Sequence, residues 1–172
     1  MLITLELVRD TWCACYSHER LADLYDRPHT PLEVLTRNDG PWAYVPPKDR
    51  LWTIFQDEVL SDRTFRLIAC AVADHMLSNE REAGRTPDPR SVEAVRVARL
   101  FADGLATSTQ LDAAHASAAY AYAVYAYASP STSAASASAY AASAAYAAVY
   151  ADASASTVLS LAIQVIQQEE PS

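Results

Sequence analysis

Glycine occurs only three times in this chain of 172 residues, and lysine once, as Lys48. So little glycine leaves no material for a phosphate-cradling loop, and neither G-x-G-x-x-G nor a P-loop is present. G-x-S-x-G and H-E-x-x-H are absent too, which removes the nucleophile elbow and the helical zinc-protease pattern. Basic residues stop at Arg99, and from Ala102 onward the only charged residues are Asp103, Asp112, Asp152, Glu169 and Glu170. With a net charge of −8, the C-terminal half offers nothing to a phosphate backbone or an anionic lipid surface. No run of about 18 uninterrupted apolar residues appears, so no membrane span is expected. The acids within "MLITLELVRD" break the apolar run a signal peptide would need, and the three cysteines, an odd number, fit free thiols. These features predict a cytoplasmic protein that binds neither nucleic acid nor membrane.

Helix punctuation is dense. Thr30-Pro31-Leu32-Glu33 combines a capping threonine, a proline at the first helical position and a glutamate able to reach back. "RNDG" at 37–40 stops that helix, and "PWAYVPPKDR" reads as an extended loop because Pro41, Pro46 and Pro47 remove donors and restrict their neighbours. From Lys48, Leu51, Trp52, Phe55 and Val59 recur at helical spacing. Ser61-Asp62 opens a helix ended by Gly84, and Asp88-Pro89 opens one ended by Gly104. Thr107 with Gln110 forms a second capping box.

That box leads into an Ala/Tyr/Ser tract holding seven of the ten tyrosines. The alternation in "AYAYAVYAY" matches a strand, but alanine is the best helix former, is depleted in strands, and the tract has no glycine for silk-like stacking. Regular tyrosine spacing argues against disorder, and two threonines, Thr132 and Thr157, are too few for an ice-binding array. As a helix, Tyr120, Val124 and Tyr127 form one stripe, with Tyr122 and Tyr125 beside it. Ser129-Pro130 breaks the tract, and a second helix is predicted over about 130–168, roughly 39 residues or near 58 Å if unbroken. Tyr140, Tyr146 and Tyr150 share a side there, and Val158, Leu161, Val165 and Ile166 continue an apolar face. The short connection predicts an antiparallel hairpin. The expected architecture is a single all-α domain over 1–172, with an N-terminal helical part over 1–84 and a central helix plus Ala-rich hairpin over 88–172.

Candidate chemistry is sparse. Cys13, Cys15 and His18 form C-x-C-x-x-H, three potential zinc ligands without a fourth nearby, and a packing role for the thiols is the preferred reading. Asp74 and His75 are consecutive on a helix and point about 100° apart, so they do not work as a base and its orienter.

Three segments carry a resemblance. "SDRTFRLIACAVADHML" resembles a helix of the type RxLRLFACxCAR, and "SVEAVRVARLFADGLATSTQLDAA" resembles the type SRxAVEVAERFADGxATxEELxAA. "ITLELVRDTWCACYSHERLADLY" is similar to an LTxExLxxAGAC start, and an Ala-rich tail follows in the same order. Together they resemble the bacterial and phage group described as immunity proteins (Imm-5-like). Arg66 and Cys70 match its motif as helix residues near the core. Val72 replaces the group's usual second cysteine, and Tyr and Ser stand where its Ala-rich helices carry charge.

The resemblance implies a protein that works without catalysis, by binding and occluding a protein partner such as a toxin or a host or defence protein, with no cofactor or metal. The predicted contact residues are Trp42 and Tyr44 of the aromatic loop, Tyr120, Tyr122, Tyr125 and Tyr127 of the first Ala-rich helix, and Tyr140, Tyr146 and Tyr150 of the second. About half of these tyrosines are expected to fill the hairpin core and the rest to face outward. Two alternatives are a self-assembling helical protein and a small helical metal enzyme using Cys13, Cys15 and His18.

Overall fold

A computed structural model of the chain describes residues 1–12, 14–56, 58–126 and 152–169, with the backbone alone at 118–126 and 152–154. The fold is all-α, and among the described residues no strand forms. The helices are α1 (His18–Leu24), α2 (Pro31–Thr36), α3 (Pro47–Ile54), α4 (Asp62–Glu82), α5 (Pro89–Ala102), α6 (Ser108–Ala126) and α7 (Asp152–Glu169). A π-helical turn at Leu7–Thr11 and a 3-10 turn at Gly40–Tyr44 complete the described elements.

The chain divides into two compact units, one formed by Met1–Ser61 with Val149–Ser172 and the other by Asp62–Ala148. The division therefore falls at residue 61 instead of the turn at 84–88, because α4 packs on α5 and belongs with it.

In the first unit, short helices are joined by long turns. Reciprocal backbone bonds tie the N-terminal segment to the approach of α2, Ile3 N–H donating to His29 O at 2.8 Å and His29 N–H to Ile3 O at 2.9 Å. The capping box of α2 forms as its sequence predicts. Glu33 N–H donates to Thr30 Oγ1 at 3.1 Å, and Thr30 N–H to Glu33 Oε2 at 2.8 Å. The segment expected to be an extended loop at 41–50 instead winds into the 3-10 turn, and α3 starts at Pro47. Leu51 and Ile54 of α3 and Val34 and Leu35 of α2 are buried in this unit's core. Distant in sequence, α7 packs on both helices and buries Ala155, Val158, Ala162 and Ile166. Leu161 and Val165, expected on that apolar face, are only half-buried.

The second unit is regular. α5 packs against both α4 and α6, around Cys70, Ala73, Leu77, Val95, Ala98 and Leu111. Gly84 and Gly104 sit at φ +75° and +72°, the left-handed conformation that lets the chain turn back at the ends of α4 and α5. Leu105 N–H donating to Leu100 O at 2.7 Å and Gly104 N–H to Phe101 O at 3.1 Å close the end of α5. Asp88 caps its start through the Arg90 N–H, and Thr107 with Gln110 makes the predicted box ahead of α6. Val92 of α5 is exposed. The second Ala-rich helix is described over α7 alone, and the predicted hairpin contact lies outside the described residues.

Candidate functional site

Short helices create the chemistry of the first unit. The last four carbonyls of any helix lack intrahelical partners, and neither α1 nor α2 ends in a glycine turn. Side chains supply the missing donors. Trp42, on the 3-10 turn, donates from Nε1 to Leu24 O at the end of α1 at 3.0 Å, and His29 Nε2 reaches the same oxygen at 3.1 Å. Arg50 of α3 does the same for α2 and the turn after it. Its Nη1 donates to Val34 O at 2.9 Å and to Arg37 O at 2.6 Å, its Nε to Val45 O at 3.0 Å, and its Nη2 to Trp42 O. Four of the five guanidinium N–H bonds are thereby used on backbone. No carboxylate of the described residues pairs with Arg50, which is only 6% exposed and lies 5.5 Å from the Trp42 ring.

His29 is fully buried among aromatics, edge-on to Tyr25 at 5.8 Å and to Trp42 at 5.4 Å. Donation to Leu24 O places its proton on Nε2, which leaves Nδ1 as a buried acceptor with no donor among the described residues. Burial, with Arg27 nearby, pushes its pKa below the ordinary histidine range.

Around this frame lies a cavity of about 220 Å³. Its apolar lining includes Val8, Leu21, Leu24 and Val45, and its aromatic lining Tyr16, Tyr25, Trp42 and Trp52. Asp49, Arg50 and Thr53 supply the polar side, with Cys15 and Ala14 also on the lining. Tyr16 OH donates to Asp49 Oδ2, and Thr53 Oγ1 donates to the Asp49 carbonyl at 3.0 Å. Burial first, and the bond to Asp49 second, push the Tyr16 phenol up to about 12, so it stays a donor at neutral pH. Arg20 stacks over the Tyr16 ring at 4.4 Å and donates from Nη2 to Tyr44 O at 3.3 Å, which links this cavity to the 3-10 turn.

The predicted contact residues separate. Trp42 is not a surface residue but a core one, 1% exposed, because its indole N–H is needed at the end of α1. Tyr44, two residues on, is 79% exposed. Tyr120, Tyr122 and Tyr125 lie within α6, where the backbone alone is described, and Tyr127, Tyr140, Tyr146 and Tyr150 lie outside the described residues. Cys15 is exposed, His18 starts α1, and Cys13 lies outside the described residues. Among the described residues no three His, Cys, Asp or Glu side chains converge as a metal site, and no helix is long and apolar enough to cross a membrane.

Asp74 pairs with Arg99, and His75 faces Asn79 at 3.3 Å, so these two do not act together. Arg66 lies over the Phe101 ring at 4.8 Å, and Cys70 is buried with its thiol pushed up to about 11 by burial. Sequence reasoning missed Tyr16, Asp49 and Arg50. The one signal for Arg50 was its place a turn before Ile54 on the buried face of α3. Comparison with protein-family models, with curated proteins and with solved structures finds no match.

Proposed function

We propose that this protein acts without catalysis, by binding and occluding a protein partner in the manner of an immunity or inhibitor protein, in bacterial or phage conflict. The observation that carries this reading is Tyr44, whose ring is 79% exposed while the backbone beneath it is fixed. Trp42 is locked into the core two residues earlier, Val45 N–H donates to Trp42 O at 3.1 Å, and Arg20 binds the Tyr44 carbonyl. A tyrosine on a pinned turn gives a large amphipathic contact at low entropic cost, the property that makes this residue common at binding hot spots. The net charge of −8 adds long-range attraction for a basic partner.

The test is affinity capture from cells of the natural source, with the wild type beside Tyr44→Ser. A single stoichiometric partner is expected, with its activity suppressed by the wild type, and Tyr44→Ser should weaken the complex by about 2 kcal/mol or more. A partner held equally by both forms, or one whose activity the wild type leaves unchanged, would overturn the proposal.

A further inference from the structure

We infer that the cavity of the first unit is a binding site for a small organic amine, its ammonium paired with Asp49 and its hydrocarbon body held against Trp52, Tyr25 and Leu21. The argument starts from the two full charges on the lining. Arg50 is already answered, since four backbone carbonyls receive four of its five N–H bonds. Among the described residues the carboxylate of Asp49, in the first turn of α3, is answered by one side chain, the neutral Tyr16 hydroxyl. A carboxylate with a single neutral donor depends on water for the rest of its stabilisation. A ligand that displaces that water must bring N–H donors or a positive charge, or leave the carboxylate poorly compensated.

The lining selects the rest of the molecule. Four aromatic residues surround a space of about 220 Å³, and aromatic faces attract cations. Two rings here already do so, with Arg20 4.4 Å from the Tyr16 centroid and Arg50 5.5 Å from that of Trp42. The volume is below the 300–1,000 Å³ typical of drug-sized ligands, which limits the guest to about ten non-hydrogen atoms. A primary ammonium on a short chain with one aromatic or branched aliphatic group meets these limits. Tyr44 itself does not line the cavity, so Tyr44→Ser and Asp49→Asn test the protein contact and the amine site separately.

The experiment titrates the full chain with three phenyl-bearing probes of similar size, phenethylamine, phenethyl alcohol and hydrocinnamate, by calorimetry and tryptophan fluorescence. Phenethylamine is expected to bind at least about tenfold more tightly than the alcohol, the worth of one charge-assisted bond. Asp49→Asn should remove that preference. An asparagine oxygen still accepts from Tyr16 OH, and an unchanged circular dichroism spectrum confirms that the variant folds. Three results would overturn the inference: hydrocinnamate preferred, which would assign the site to the remaining Arg50 N–H; a preference for the amine that survives Asp49→Asn; or no saturable binding of the amine.

Discussion

The two units solve the same problem, the unpaired ends of helices, in opposite ways. In the second, α4 and α5 are 21 and 14 residues long and end in left-handed glycines, so the backbone closes on itself. Its core is then mostly apolar, with Ser91 and the Nε2 of His115 as buried polar exceptions, and Arg63, Arg96 and Arg99 sit outside, bonded to Asp103, Glu93 and Asp74. In the first, helices of six to eight residues have no such endings, so Trp42, His29 and Arg50 are drawn inside to bond carbonyls. Economy of length therefore brings polar chemistry into the interior. That chemistry, with the aromatic side chains that shield it, is what frames the cavity.

The largest expected effect breaks this comparison at its centre. Arg50→Met keeps most of the volume but orphans carbonyls at the end of α2 and in the turn, and should cost on the order of 3–5 kcal/mol. Trp12, Trp42 and Trp52 all lie in the first unit, so tryptophan fluorescence during chemical denaturation reads the loss there. The matching change in the second unit, Leu77→Ala in the apolar core, should cost about 2–4 kcal/mol through a cavity, read by circular dichroism. An Arg50→Met protein as stable as the wild type would mean that water replaces the guanidinium without penalty, and the contrast between the units would fail.

Next in size is a dependence on pH, set in the first unit by His29 and in the second by His115, whose pKa burial lowers as well. His29 has a lowered pKa in the folded protein, so below the unfolded value of about 6.5 the unfolded chain takes up more protons. Stability is therefore complete above that pH and falls as the pH drops toward the folded value. The groups that face this ring are Asp26 at 3.6 Å and Glu33 at 3.9 Å, with Arg27 and Arg37 opposing its protonation. Denaturation midpoints followed by tryptophan fluorescence should decline through this window, and His29→Gln, which can still donate to Leu24 O, should flatten the decline. A second loss follows at lower pH. Glu33 is held down to about 2 by the Arg27 bond and the Thr30 N–H, so its contribution is present above about 4.5 and disappears as the pH falls toward 2.

The smallest effect sharpens the comparison at the start of a helix. Thr30→Ala removes half of the capping box of α2 and should cost about 1 kcal/mol by chemical denaturation. A cost several times larger would show that the box also sets the path of the chain into the buried His29, one residue before it.

Much of the helix punctuation needed only the sequence. Thr30 with Glu33, Thr107 with Gln110, Asp88 before Pro89, and the two glycines after α4 and α5 each act on atoms within five residues, and each is found where the sequence places it. Local chemistry of this kind is fixed by residue type and spacing, which is why the all-α class was legible along with several element boundaries. Tertiary structure alone decided the rest. It brought α7 back onto α2 and α3 from a distant part of the sequence, and turned Trp42 inward while leaving Tyr44 outside. It also gathered Tyr16, Asp49 and Arg50 around one cavity. The physical reason is that a buried donor goes to whichever carbonyl folding leaves unpaired, and that carbonyl belongs to a different segment, 16 residues away for Arg50 and Val34 and 18 for Trp42 and Leu24.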